Sequence, residues 1–391
     1  MLRIARPCLA TAASLLACLV LPATVSASID SQRPTQGIYE NCDPRNHESE
    51  CLERLAELRD AGITVVLNYW AWQGTPAQEL RYADRAQELG MKLIWPTSWA
   101  GASDPASHVP ELAEACDCNG TDLLDYAVEL VRDHPATWGY YVGEELWEPN
   151  PALSAAADRV GELDPEHPRL FVGWGASDLA GNLRVLADGA DMLGSDYYPV
   201  AGWPLQKTRG IARQTHRVAR SEGKQAAIVL QAFNWDSEPT LIPPGITGQW
   251  PTTRQMRQMR NLAFLGGDFP LMLWFDYYFI KPLGTSDESH LDALAKALRA
   301  RYPIKVRNLR CQRGRLAWEQ SRRGRVAMVV KDAEGKRQAR LRRSSGVSLR
   351  RLDLRRGEAK LRVSAGSARL RSTSNRLVLR PEGTARARPA C

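Results

Sequence analysis

The run WGYYVGEELWEP, residues 138–149, passes from aromatic and apolar residues straight into Glu144, Glu145 and Glu148. A carboxyl group set among indole and phenol rings is poorly solvated, so it holds its proton more tightly than in water. Such a group is a candidate general acid at neutral pH when a second carboxylate faces it. Two other stretches offer that partner. GSDYY carries Asp196 next to Tyr197 and Tyr198, and WFDYY carries Asp276 close to Trp274. Amides and aromatics end further apolar runs: Asn68 and Trp70 at ITVVLNYW, Trp95 in MKLIWP, and Gln231 in AAIVLQAFNW. Other chemistries lack their parts. There is no His-x-His or His-Glu-x-x-His pattern, no Gly-x-Ser-x-Gly elbow and no phosphate-binding Walker loop. No cofactor and no metal site is expected.

These residues need elements to position them. Short apolar runs alternate with amphipathic stretches along the chain. Strands are expected at Gln36–Glu40, Ile63–Tyr69, Met91–Pro96, Trp138–Gly143, Leu170–Trp174, Met192–Tyr198, Ala226–Phe233 and Leu271–Tyr278. Helices are expected at Asn46–Asp60, Pro76–Leu89, Thr121–Asp133, Leu179–Ala187, Leu205–Ser221, Thr253–Leu265 and Glu288–Arg301, with Gly90 as a stop. Eight strands, most of them followed by a helix, predict an α/β fold, a (β/α)8 TIM barrel. The rival is an open doubly wound sheet, which would carry a glycine-rich turn after its first strand. Here that turn reads Glu40-Asn41-Cys42-Asp43.

In such a barrel the chemistry sits at the carboxyl ends of the strands. Most of the 12 tryptophans fall there. Strand alternation then selects among the candidates. In the fourth strand Gly139, Tyr141, Gly143 and Glu145 share the inward face, while Trp138, Tyr140, Val142 and Glu144 face the helices or solvent. The same rule turns Asp196 and Tyr198 inward on the sixth strand, Gln231 on the seventh, and Trp274 and Asp276 on the eighth. The expected catalytic carboxylates are Glu145, Asp196 and Asp276. The expected substrate-binding residues are Asn68, Trp70, Trp95, Tyr198, Gln231 and Trp274. Flat rings stack on the apolar faces of sugars, and carboxylates and amides bind their hydroxyls. Paired carboxylates in an aromatic cleft are the equipment of glycoside hydrolysis.

HPATWGYYVGEELWEP resembles the fourth-strand block of the TIM-barrel glycoside hydrolase superfamily, including its uncharacterised secreted members. DMLGSDYYPV is similar to their sixth strand and LMLWFDYY to their eighth. The resemblance covers about residues 36–303. It implies a carbohydrate substrate and a fourth-strand acid/base, which maps to Glu145, preceded here by Glu144 rather than asparagine. It also implies a seventh-strand glutamate nucleophile, and Gln231 stands in that place. An amide serves neither as nucleophile nor as base, so a carbohydrate-binding barrel without hydrolysis is the alternative reading.

Around the barrel, three segments are expected. Residues 1–27 read as a secretory signal peptide cleaved after Ala27, which makes the protein extracellular. Residues 28–303 form the barrel, and residues 304–391 a small all-β sandwich domain marked by period-two alternation. No transmembrane segment is expected in the mature chain. Six cysteines remain after cleavage, which suggests disulfides: Cys42–Cys51, Cys311–Cys391, and a tight bridge between Cys116 and Cys118. Residues 304–391 hold 26 Lys and Arg against 6 Asp and Glu, and the rest of the chain holds 26 against 38. The basic segment suggests an anionic cell-surface polymer as a partner, and no nucleic acid.

Overall fold

A computed structural model describes residues 33–175, 178–237, 248–284 and 289–303, and strand backbones within 306–381. Eight strands, β1 (Thr35–Glu40), β2 (Val65–Asn68), β3 (Lys92–Pro96), β4 (Thr137–Glu144), β5 (Arg169–Gly173), β6 (Met192–Tyr197), β7 (Gln225–Gln231) and β8 (Leu271–Phe275), close in that order into a barrel. Every pairing is parallel, including β1 with β8. This is the expected (β/α)8 fold. The helix Pro151–Leu163 fills the one strand–helix unit that the sequence reading leaves without a helix. Its start is written locally: Pro151 opens it, and the Asn150 side chain accepts from the Leu153 amide at 3.1 Å.

The helices begin and end where their residues dictate. Thr75 and Gln78 form a capping box ahead of Pro76–Glu88, and Thr252 and Gln255 form another ahead of Thr253–Gly266. Gly90 adopts φ +66° just past the first of these, as a helix stop requires. The strands separate two apolar layers. Val65, Leu67, Ile94, Tyr141, Leu170, Val172, Met192, Val229, Leu271 and Leu273 fill the barrel interior. Their alternating neighbours, such as Val66, Tyr140, Phe171, Leu193, Ile228 and Met272, pack against the helices.

Glu40 ends β1 but turns away from the barrel mouth. It is fully buried and takes hydrogen bonds from Arg54 Nε (3.1 Å) and Nη2 (2.9 Å), while Arg54 Nη1 donates to the Lys281 carbonyl at 2.6 Å. The guanidinium also lies 4.4 Å from the centre of the Tyr277 ring. Burial raises the Glu40 carboxyl even against this cation. Removing one partner strands the other charge in an apolar layer. Arg54→Ala is therefore expected to lower unfolding free energy by about 3–5 kcal/mol in urea titrations. A loss below about 1 kcal/mol would contradict that account.

Two disulfides lie in the described barrel, Cys42–Cys51 and Cys116–Cys118. Cys391 and residues 1–27 lie outside the described residues. Within 306–381 the strands form antiparallel sheets of three and five strands. Among the described residues no helix is long and apolar enough to cross a membrane.

Candidate active site

The carboxyl ends of the strands surround a cleft of about 510 Å3, within the ~300–1,000 Å3 range of small-molecule sites. Three carboxylates line it, Glu144, Glu145 and Asp196, with an aromatic wall that includes Trp70, Trp147, Trp174, Tyr198 and Trp235. No lysine, arginine or histidine is among its lining residues.

Both glutamates reach the cleft because β4 breaks its alternation. The pairing of β4 with β5 slips between Tyr141 and Gly143, so one extra residue is inserted. Tyr141 points into the barrel, while Val142 packs outward against the helix layer. Gly143 also faces outward, where a Cβ would come within 2.9 Å of Leu153. Glu144 then returns to the cleft. The next residue, Glu145, takes a left-handed turn with φ +46°, its amide donating to the Val172 carbonyl at 2.8 Å. That turn keeps its side chain in the same cleft. The expectation that Glu144 faces the helices or solvent is thus corrected, as is the inward placing of Gly143. An earlier slip between β3 and β4 likewise brings Trp138 against the interior cluster.

Glu144 is held by phenols. The Tyr69 and Tyr141 hydroxyls donate to its Oε2 at 2.5 and 2.8 Å, and the Tyr39 hydroxyl lies 3.4 Å from that of Tyr141. Crowding by these rings raises the Glu144 carboxyl; the two phenol hydrogen bonds oppose the shift and the charge of Glu145 adds to it. The carboxylate keeps an edge open to solvent in the cleft.

Asp196 lies deeper, 2% exposed, and shares a side-chain hydrogen bond with Glu145. Burial first, then the charge of Glu145 and the bond to it, hold the Asp196 carboxyl well above the usual carboxylate range. Its Oδ1 accepts from the Gly175 amide at 3.0 Å. The loop after β5 must approach very closely to make that contact. A Cβ on residue 175 would sit 1.8 Å from the Asp196 carbonyl oxygen, so only glycine fits. The hydrogen bond to Glu145 puts the Asp196 proton within reach of a second carboxyl at the cleft edge.

The other candidates fall elsewhere. Asn68 is buried and clamps the loop after β1, accepting from the Cys42 amide and donating to the Cys42 carbonyl. Trp95 is buried in the helix layer, 4.8 Å from Trp72 between ring centres, with its indole donating to Thr137. Gln231 is fully buried, accepting from the Val200 amide at 2.7 Å and donating to the Phe233 carbonyl at 3.1 Å. Its amide braces the loop after β6 and is not among the groups lining the cleft.

The inward assignment on β8 is corrected by one residue. Leu271 and Leu273 fill the interior, Trp274 packs in the helix layer with its indole donating to Gln36, and Phe275 lines the cleft. Asp276 is buried outside the cleft lining, where its Oδ1 accepts from the Phe279 amide and starts the helix Tyr277–Ile280. Four expected residues therefore meet in the cleft, Glu145, Asp196, Trp70 and Tyr198. Glu144 joins them through a bulge that alternation does not announce, and Tyr69, just past β2, lines the cleft beside it.

No protein-family model matches the chain, and no curated protein matches it. Solved structures do. A candidate alpha-L-fucosidase from Bacteroides thetaiotaomicron VPI-5482 is 12% identical with a TM-score of 0.49, over 71% of this chain and 99% of that one. A beta-galactosidase from Rahnella sp. R3 is 11% identical with a TM-score of 0.47, over 69% of this chain and 56% of that one. A Thermobacillus composti GH10 xylanase is 13% identical with a TM-score of 0.46, over 69% and 98%. The assignment of the barrel fold rests on the closed order of eight parallel strands.

Proposed function

We propose that the protein is a secreted glycoside hydrolase acting on a neutral poly- or oligosaccharide. The observation that carries this reading is the contact of Glu145 with buried Asp196, beside Glu144, at the edge of an aromatic cleft. In the resting cleft the proton sits on Asp196. A glycan covering Glu145 removes its water, and the proton passes to it, which makes Glu145 the general acid for the leaving glycosidic oxygen. Glu144, fixed by two phenols, supplies the second carboxylate. It stabilises positive charge developing at the anomeric carbon and takes a proton from the water that completes hydrolysis. The cleft lining offers carboxyl groups and no basic residue to pair with a uronate or a sulfate, so an uncharged substrate suits it.

Exposed Trp70 (41%) and Trp147 (62%) suit stacking on sugar rings. Trp147→Ala is expected to weaken glycan binding about five- to tenfold, read by titration calorimetry, with little change in thermal stability. Two disulfides fit an exported protein. Cleavage after Ala27, packing of the two C-terminal sheets as a sandwich, and capture of an anionic surface polymer by its arginines belong to the same proposal.

Gln231 favours the second reading, a carbohydrate-binding barrel, since the seventh strand brings no carboxylate to the cleft. A panel of neutral oligosaccharides and aryl glycosides separates the two. Release of reducing sugar by the wild type, absent in Glu145→Gln, supports hydrolysis. Binding without turnover leaves the binding reading, and neither result on any member overturns both.

A further inference from the structure

Beside the cleft lies a second cavity of about 540 Å3. The two share Tyr69, Trp70 and Glu144 as lining residues, so they form one groove with Glu144 at the junction. Building on the hydrolase reading, we infer that the second cavity binds the neighbouring sugar unit, so that the substrate is a neutral glycan of at least two residues. The bond to be cleaved then spans the junction.

The lining has the amphiphilic character a pyranose needs. Trp72 and Trp99 both spend their indole N–H groups on the Pro96 carbonyl, at 2.5 and 2.8 Å. Trp72 is otherwise buried against Trp95, so the ring carbon open to a ligand is the edge of Trp99 and the exposed face of Trp70. Polar groups stand around them. The Gln73 amide nitrogen donates to the His108 carbonyl at 2.6 Å, a bond that does not use the Gln73 side-chain oxygen. Ser98 and Asn150 supply further polar atoms. A purely apolar ligand would strip these groups of water without return. A charged one would find no lysine or arginine, and would meet Glu144. A hydroxylated ring satisfies both requirements: its C–H face packs on carbon, and its hydroxyls replace the displaced water. Trp70, exposed at the shared wall, can touch both units and set the angle between them.

The test uses the full mature chain with Glu145→Gln to stop turnover. Methyl glycosides of mono-, di- and trisaccharides from neutral β-glucan, mannan, xylan and galactan are titrated by calorimetry. Ser98→Trp and Ala102→Trp each fill the second cavity from a different wall, and circular dichroism checks that both are folded. The disaccharide of the preferred series is expected to bind at least tenfold more tightly than its monosaccharide. Both filling variants should erase that gain and leave monosaccharide affinity within twofold. Equal affinity for mono- and disaccharide would overturn the second site while leaving the hydrolase reading intact, as would a gain that survives both variants. Failure of every glycan to bind would overturn the hydrolase reading itself, and this inference with it.

Discussion

Glu145→Gln should lower kcat by about 10²- to 10⁴-fold on a glycoside with a poor leaving group, the range for losing a positioned general acid. Gln is nearly isosteric, and its amide can still donate to Asp196 or accept from it. The backbone turn at φ +46° and the Val172 contact do not depend on the side chain. What the substitution removes is the proton itself.

That makes the leaving group diagnostic. A dinitrophenolate departs without protonation, so its glycoside should lose less than about tenfold. An alkyl or sugar leaving group should show the full effect. Equal losses on both would mean that Glu145 acts at the anomeric carbon and not on the departing oxygen. The proton-donor role would then pass to another group, with Glu144 the first to test. Glu144→Gln offers the contrast. Its two phenol partners can still bond to the amide oxygen, but the charge is gone, so both classes of leaving group should suffer alike.

The barrel was legible because each unit repeats a local signal. Apolar runs, caps such as Thr75 and Thr252, and stops such as Gly90 all lie within a few residues of the elements they control. The site was less so, because it depends on departures from regularity. Strict alternation along β6 placed Asp196 and Tyr198 in the cleft, and the structure has them there. On β4 an inserted residue reversed the parity after Tyr141, so the rule that picked Glu145 misplaced Glu144. Glu145 reaches the cleft through a left-handed turn, not through the continued pleat. On β8 the inward choice favoured the aromatic and the acid, while Leu271 and Leu273 in fact fill the interior. Asn68 and Gln231 illustrate a further limit. Both sit at strand ends, as functional amides do, yet both spend their polar atoms on neighbouring backbone. Such pairing with distant loops has no short-range sequence signal.

Asp196→Asn should uncouple activity from stability. The amide oxygen still accepts from the Gly175 amide, and the NH2 group donates to Glu145 as the acid did, so both hydrogen bonds survive. The stored proton does not. Activity is expected to fall about ten- to a hundredfold at neutral pH. Stability should move the other way. The folded-state pKa of Asp196 is raised by burial above its unfolded value of about 3.9. The native state therefore binds more protons than the unfolded chain between those two values, and its stability drains away as pH rises through that window. The variant should melt higher than wild type at pH 8, by about 2–4 °C for each kcal/mol so gained, and the two curves should converge below about pH 4, where both states of Asp196 are protonated. If the variant melts lower at pH 8, burial of Asp196 is not the dominant effect on its carboxyl, and the pair with Glu145 cannot be the proton store on which the proposed hydrolysis depends.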